Sequence, residues 1–181
     1  MSRSILDLVV LGFLGARWAH LARTSDAGDW AHELRHLEWQ VIGLGASYAA
    51  AFILWAVGAV AGALQPVSLS AVVGTSALTV GASLRIAGQR ALGPAFSWHS
   101  WPRADRLVTS GVYRWLRHPL LLGYALETVG LLLAGDTNPA VGFAVVGVLG
   151  ISLAGQIVRE QRALLVRFGD EWREYARARW L

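Results

Sequence analysis

The chain has 181 residues, of which 55% are hydrophobic and only 15% are charged. This composition is too apolar for an average soluble domain and favours a membrane protein. The net charge is +4, but the arginines flank apolar segments, so no nucleic-acid partner is expected. The absence of cysteine excludes disulfides, thiol nucleophiles and cysteine-bound metals.

The apolar segments predict an all-α integral membrane protein that forms a single domain over residues 1–181. Spans are predicted at about residues 5–21, 41–64, 67–86, 119–135 and 138–158, followed by a cytosolic amphipathic helix at 159–180. The first span is the weakest, because Asp7 and Arg17 lie inside it. Gln65-Pro66 separates the second span from the third, since proline removes a backbone donor.

The distribution of arginine predicts the orientation in the membrane. Arginines are concentrated between the third and fourth spans and after the fifth, and short cytoplasmic loops retain this residue. Five spans then place the carboxyl terminus and the long loop before the fourth span in the cytosol. We expect a multi-pass protein of a prokaryotic plasma membrane, in contact with membrane lipids.

Two sequence blocks carry the candidate chemistry. The segment that enters the fourth span, residues 107–119, reads LVTSGVYRWLRHP, and the segment Arg159-Glu160-Gln161 leaves the fifth span. Proline in the first turn of a helix is favourable, and the free backbone donors of that turn can hold an anionic group. Over about residues 85–178, in order and spacing, these blocks resemble the isoprenylcysteine carboxyl methyltransferase family and its phospholipid methyltransferase relatives.

The resemblance implies S-adenosylmethionine as methyl donor, enclosed on the cytosolic side. The positions that match donor-binding positions of the family are Asp105, Arg106, Leu107, Val108, Tyr113, His118, Pro119, Leu120, Leu121 and Glu160. Three positions depart from the family pattern: Asp105 replaces a frequent histidine, Leu121 a usual tyrosine and Gln161 a second acid. A sulfonium is a good leaving group, so we expect positioning and desolvation to dominate and assign no catalytic residue.

The same resemblance implies a lipophilic acceptor that enters from the bilayer, such as an isoprenylcysteine carboxylate. The family carries an arginine for that carboxylate four residues before the glutamate, and this chain has Gln156 there. Glutamine cannot replace the charge of a bidentate guanidinium. Either Arg159, one turn along, takes over, or the acceptor is another lipid-like nucleophile such as a phenol, quinol, amine or thiol. Gln156 and Arg159 are therefore the candidate acceptor residues.

Three other functions remain open at this point. Sterol reductases resemble the family in the Arg-His-Pro segment, which makes an NADPH-dependent membrane reductase the first alternative. The run His32-Glu33-Leu34-Arg35-His36 matches the H-E-x-x-H pattern of zinc metalloproteases, although no third ligand stands out and we predict no metal site. Glu127 inside the fourth span would suit a transporter fragment or scaffold, or is an acid within hydrogen-bonding reach of the cytosolic half.

Overall fold

The computed structural model describes residues 3–24, 38–62, 66–96 and 105–179. Their α-helices are α1 (Arg3–Thr24), α2 (Trp39–Ala61), α3 (Leu69–Leu92), α4 (Pro119–Ala134) and α5 (Pro139–Arg177), with short 3₁₀ turns at Gly93–Ala95 and Gly111–Arg114. The all-α prediction is confirmed for these residues. Successive helices run in opposite directions, so that α1, α3 and α5 begin at one end of the bundle, here called the Asp136 end. The other end, where α2 and α4 begin, is called the His118 end.

Three of the described helices, α2, α3 and α5, are long and apolar enough to cross a membrane. The α4 helix is apolar but has only 16 residues. At 1.5 Å per residue it spans about 24 Å, less than a hydrocarbon core of about 30 Å. The membrane class is therefore supported by three helices, and the count of five spans stays a prediction.

The tail after the fifth span differs from the prediction. No new helix begins at residue 159, because α5 continues as one element of 39 residues to Arg177. The stretch from Gln156 to Phe168 contains neither glycine nor proline, so nothing interrupts the backbone hydrogen bonds there. The break comes at Gly169, which adopts φ 53° and ψ −120° within α5, a conformation that side chains with a Cβ rarely adopt.

Glycines allow α3 and α4 to pack backbone against backbone. A Cβ on Gly81 would lie 2.6 Å from the carbonyl oxygen of Gly123, and a Cβ on Gly130 would lie 2.7 Å from that of Gly74. Such small-residue faces permit the close approach of helices in membranes. By contrast, α5 packs along α2 and touches α4 at few positions. Helices α4 and α5 therefore diverge and leave space between them.

A polar cluster closes the Asp136 end. Asp136, in the turn between α4 and α5, accepts hydrogen bonds from Arg3 (2.5 Å), Ser68 (2.9 Å) and Ser70. Ser68 also caps α3 by accepting from the backbone N–H of Ala71 at 3.1 Å. Burial raises the pKa of Asp136, but the hydrogen bonds from Ser70 and Ser68 and the charge of Arg3 outweigh it and hold that pKa below its ordinary value. This Asp136 cluster (Arg3, Ser68, Ser70, Asp136) joins α1, α3 and the turn.

Candidate active site

The two sequence blocks meet at the His118 end. His118 is the residue just before α4, with Pro119 in the first helical position, and Glu160 lies on α5. The Nδ1 atom of His118 is 3.0 Å from Oε2 of Glu160. The histidine side chain is 4% exposed and the glutamate side chain 32%. The pair therefore joins a buried imidazole to a carboxylate that reaches solvent.

The second ring nitrogen of His118 faces the other side of this pair. Its Nε2 lies 3.4 Å from the amide nitrogen of Gln161. A neutral imidazole that donates from Nδ1 to Glu160 leaves Nε2 as an acceptor for that amide, so the neighbours are consistent with one tautomer. Gln161, which stands where the family has a second acid, thus contacts the same histidine as Glu160.

The end of α5 holds the Arg-His-Pro segment in place. Beyond the break at Gly169, the hydroxyl of Tyr175 donates to the carbonyl oxygen of Tyr113 at 2.7 Å and to that of Leu116 at 3.3 Å. Trp172 lies between this contact and His118, with a ring-centre distance of 6.4 Å to the imidazole. Burial raises the pKa of Tyr113 well above its ordinary value, and the charge of Glu160 adds to the effect. Burial also raises the pKa of Tyr175, so both phenols are neutral near pH 7.

A cavity of about 180 Å³, here called the Gln156 cavity, lies among α2, α3, α4 and α5 at this end. Most of its wall is apolar, with Leu44, Phe96, Leu120 and Leu121 among the lining residues. Its polar lining residues are Arg85, Gln89, Gln156 and Glu160. The cavity therefore combines the size of a small head group with a few converging polar groups, as ligand sites do.

The arginine in this wall has an acidic partner inside the bundle. Nη1 of Arg85 lies 3.4 Å from Oε2 of Glu127, and the two side chains are 4% and 0% exposed. The guanidinium also stacks over the ring of Tyr124, 4.6 Å from its centre, and the Tyr124 hydroxyl donates to the carbonyl oxygen of Leu44 at 2.8 Å. Glu127, whose role the sequence left open, is thus the partner of a buried cation.

Two amide side chains in the same wall lack partners. Both amide atoms of Gln89 and the amide oxygen of Gln156 are buried with no hydrogen-bond partner in the described part of the chain. The two residues are 4% and 6% exposed. Leaving such a group unsatisfied costs about 1–3 kcal/mol, so their position on a cavity wall indicates a site for a polar ligand.

A second cavity, of about 240 Å³, occupies the space where α4 and α5 diverge. We call it the α4–α5 cavity. Arg117, His118 and Gln161 line its polar side, and the apolar lining residues are Leu121, Leu122, Ala125, Leu153 and Ile157. Leu121 borders both cavities. Because His118 lines one cavity and Glu160 the other, their hydrogen bond lies between the two.

The structure brings together part of the predicted donor-binding set. His118, Leu120, Leu121 and Glu160 line the cavities, with Pro119 buried at the start of α4. Tyr113 is buried beneath the loop, on the side of α3. The remaining four predicted residues, Asp105, Arg106, Leu107 and Val108, are not among the described residues lining either cavity. Asp105 is exposed and lies 3.4 Å from Arg167.

The two predicted acceptor residues, Gln156 and Arg159, lie in different surroundings. Gln156 lines the Gln156 cavity, whereas Arg159 pairs with Glu38 at the start of α2 and is not among the described lining residues of either cavity. Sequence reasoning missed Arg85 and Gln89. The available signal was that Arg85 and Glu127 are opposite charges within two apolar helices, which favours pairing.

The zinc alternative rests on residues 32–36, which lie outside the described residues. In the segments that are described, no group of three or more His, Cys, Asp or Glu side chains is placed to hold a metal ion.

The fold and the site define a helical protein of the membrane class. It has three membrane-compatible helices, and two adjoining cavities lie where a helix starts at His118-Pro119. The family model for phospholipid methyltransferase matches residues 69–171, which is more than half of the chain. The chain therefore belongs to the phospholipid methyltransferase family, a family of membrane methyltransferases, and the match includes both sequence blocks. No curated protein and no solved structure matches the chain.

Proposed function

We propose that the protein transfers a methyl group from S-adenosylmethionine to a lipophilic acceptor at the His118 end of the bundle. The observation that carries the proposal is the hydrogen bond between His118 and Glu160, which joins the two family blocks between two cavities. Two reactants that must meet need two adjoining sites. The two cavities adjoin, and Leu121 and the His118–Glu160 pair form the boundary between them.

The side chains around this boundary fit the methyl donor. S-Adenosylmethionine carries an ammonium, a carboxylate, a sulfonium and an apolar ring system, and when bound it supplies a methyl group on positively charged sulfur. Glu160 offers a carboxylate for the ammonium or the ribose hydroxyls. Arg117 in the larger cavity has a buried Nε with no partner among the described residues, which suits a carboxylate. Leu122 and Ile157 give that cavity apolar walls.

The protein's own contribution is chiefly positioning. Apolar side chains, several of them leucines, form most of the wall of each cavity and limit the access of water. The hydrogen bond between His118 and Glu160 fixes α4 and α5 relative to each other. Excluding water and presetting the attack geometry can supply a large part of the acceleration. The acceptor enters sideways from the bilayer, since the α2 residues Val41 and Leu44 give the smaller cavity an apolar wall on a membrane-compatible helix.

The same proposal places the His118 end in the cytosol of a prokaryotic cell, in contact with membrane lipids. Arg90, Arg114 and Arg117 lie at this end, whereas Arg3 is the arginine described at the opposite end. Retention of arginine in cytoplasmic segments supports that orientation, and the donor is then available from the cytosol.

The test is direct measurement of donor binding to the purified protein in detergent, with labelled S-adenosylmethionine and with NADPH as the competing hypothesis. We expect binding of S-adenosylmethionine, and methyl label in a lipid product after incubation with a native lipid extract. Binding of NADPH alone would instead support a reductase.

Two variants locate the site. Glu160→Ala and His118→Ala should weaken donor binding by tenfold or more, because charge-assisted hydrogen bonds contribute about 1.5–3 kcal/mol, while the thermal midpoint stays within a few degrees. Glu174→Ala is the matched control, an exposed glutamate on the same helix. Unchanged donor binding in both site variants would contradict the assignment.

A further inference from the structure

The Gln156 cavity holds neutral hydrogen-bonding groups that the described protein does not use. Gln89 presents an amide N–H and a carbonyl, and Gln156 presents a carbonyl, all buried and without partners in the described segments. A ligand group that both donates and accepts hydrogen bonds would satisfy them.

Neither charge in the cavity wall is free for the acceptor. Arg85 lies against Glu127, while Glu160 is hydrogen-bonded to His118 and, in the proposed function, faces the ammonium or ribose of the donor. A carboxylate bound at Arg85 would also sit close to the buried charge of Glu127, and an ion buried without its own partner is costly. A neutral polar group adds no charge, and so it suits this wall better than a carboxylate or an ammonium.

The volume limits the size of that group. A cavity of about 150 Å³ lined by apolar side chains is known to hold benzene, and the Gln156 cavity measures about 180 Å³. One six-membered ring with a substituent therefore fits. Phe96 and Tyr124 line the cavity, and aromatic side chains pack favourably against another ring.

We propose that the acceptor is a lipid whose head group is a neutral hydroxylated ring of the phenol type, held by Gln89 and Gln156. The inference rests on the proposed methyl transfer. In that transfer the acceptor oxygen forms a bond to the methyl carbon while the carbon–sulfur bond breaks, and the electron pair of that bond stays on sulfur. The hydroxyl proton passes to water through Glu160, which lines the cavity and is 32% exposed.

Three amphiphiles that differ only in their polar group test the proposal on the full chain in detergent. Para-octylphenol, para-octylbenzoate and para-octylbenzylamine share a ring and a tail but are neutral, anionic and cationic at pH 7. Quenching of tryptophan fluorescence measures binding of each, and labelled S-adenosylmethionine measures donor binding separately. We expect the phenol to bind at least tenfold more tightly than the benzoate and the amine.

Glutamine-to-methionine variants keep the length of the side chain and remove its amide. Gln89→Met and Gln156→Met should each weaken phenol binding by about tenfold, the loss of one hydrogen bond of a buried group. Both should also raise the thermal midpoint of the ligand-free protein by about 2–4 °C, because an unsatisfied buried group has been removed.

Gln40→Met is the matched control. The Gln40 amide oxygen is likewise buried without a partner among the described residues, but Gln40 is not among the described lining residues of the cavity. This variant should raise the thermal midpoint and leave phenol binding unchanged. A stability effect alone is thereby separated from an effect on the ligand.

Two failures can be told apart. If the donor binds but the benzoate or the amine outcompetes the phenol, or if neither methionine variant changes phenol binding, the head-group proposal is wrong and methyl transfer stands. If the phenol binds at the glutamines but S-adenosylmethionine does not bind, the proposed transfer fails, and the cavity remains a site for a hydroxylated ring.

Discussion

The two ends of α3 place polar side chains in opposite situations. At its start, Ser68 belongs to the Asp136 cluster, in which Asp136 accepts three side-chain hydrogen bonds. Near its end, Gln89 is only 4% exposed and has no partner within the described residues. Most buried polar groups in native proteins are satisfied. For these residues the difference is clear: the protein itself uses the hydrogen-bonding capacity of the Asp136 carboxylate, whereas Gln89 keeps that capacity for a ligand.

The largest expected effect concerns the charged pair at the His118 end. Glu127→Leu leaves the Arg85 cation buried without its acidic partner and should lower the free energy of unfolding by about 3–5 kcal/mol. The double variant Arg85→Met/Glu127→Leu should recover most of that loss, because it removes both charges. Unfolding titrations in mixed detergent micelles measure both, and a double variant as unstable as the single one would argue against the pairing.

At the opposite end, Asp136→Ala should cost about 1–2 kcal/mol, since it removes the acceptor of Arg3 and two serines but the carboxylate is itself partly exposed. Donor binding should not change. Asp170→Ala, which breaks an exposed ion pair with Arg173 on α5, is the control and should stay within about 1 kcal/mol of the parent protein. Equal losses in the two variants would show that the Asp136 cluster has no special weight.

A smaller effect on stability should have opposite signs at the two ends of α3. Ser68→Ala removes the cap of α3 and should destabilise the protein by about 1 kcal/mol. Gln89→Met, on the same helix, should stabilise the ligand-free protein. Thermal melts of the two variants side by side decide the matter, and a shift in the same direction for both would remove the contrast.

The smallest effect is the response to acid. The pKa of Asp136 is below its ordinary value in the folded protein, so its ionised form stabilises the fold at and above pH of about 4. This contribution should be lost as the pH falls below that value through the lowered pKa. Between pH 7 and pH 3, the thermal midpoint of Asp136→Asn should therefore change less with pH than that of the parent protein. Identical pH profiles would mean that the carboxylate is not linked to stability.

Much of the fold could be predicted because its signals are local. The second, third and fourth predicted spans coincide with α2, α3 and α4 to within a few residues, apart from the last turns of α3, where Arg85 ended the predicted span and the helix continues to Leu92. The proline that the sequence places in the first turn of α4 is an equally local signal. The helix continues through the predicted boundary at residue 159, since a change in polarity does not interrupt a helix.

The site was only partly predictable. The resemblance named His118 and Glu160, and the structure adds that they form a hydrogen bond. The resemblance did not name Gln89. It offered Arg159 as a substitute cation, but in the structure Arg159 pairs with Glu38. Which face of a helix a residue occupies follows from its spacing. Which residue of another helix it meets depends on how each helix is rotated about its axis and shifted along it.

The sequence by itself determined the class, the helices and the family blocks of this protein, because apolar length, proline and glycine act through neighbouring residues. Only the tertiary structure decided that Arg85 meets Glu127, that α4 and α5 diverge, and that Gln89 and Gln156 share a cavity wall. The first relation arises where α3 and α4 approach at glycine faces, and the other two depend on how whole helices are rotated and spaced. No periodicity within one helix encodes them.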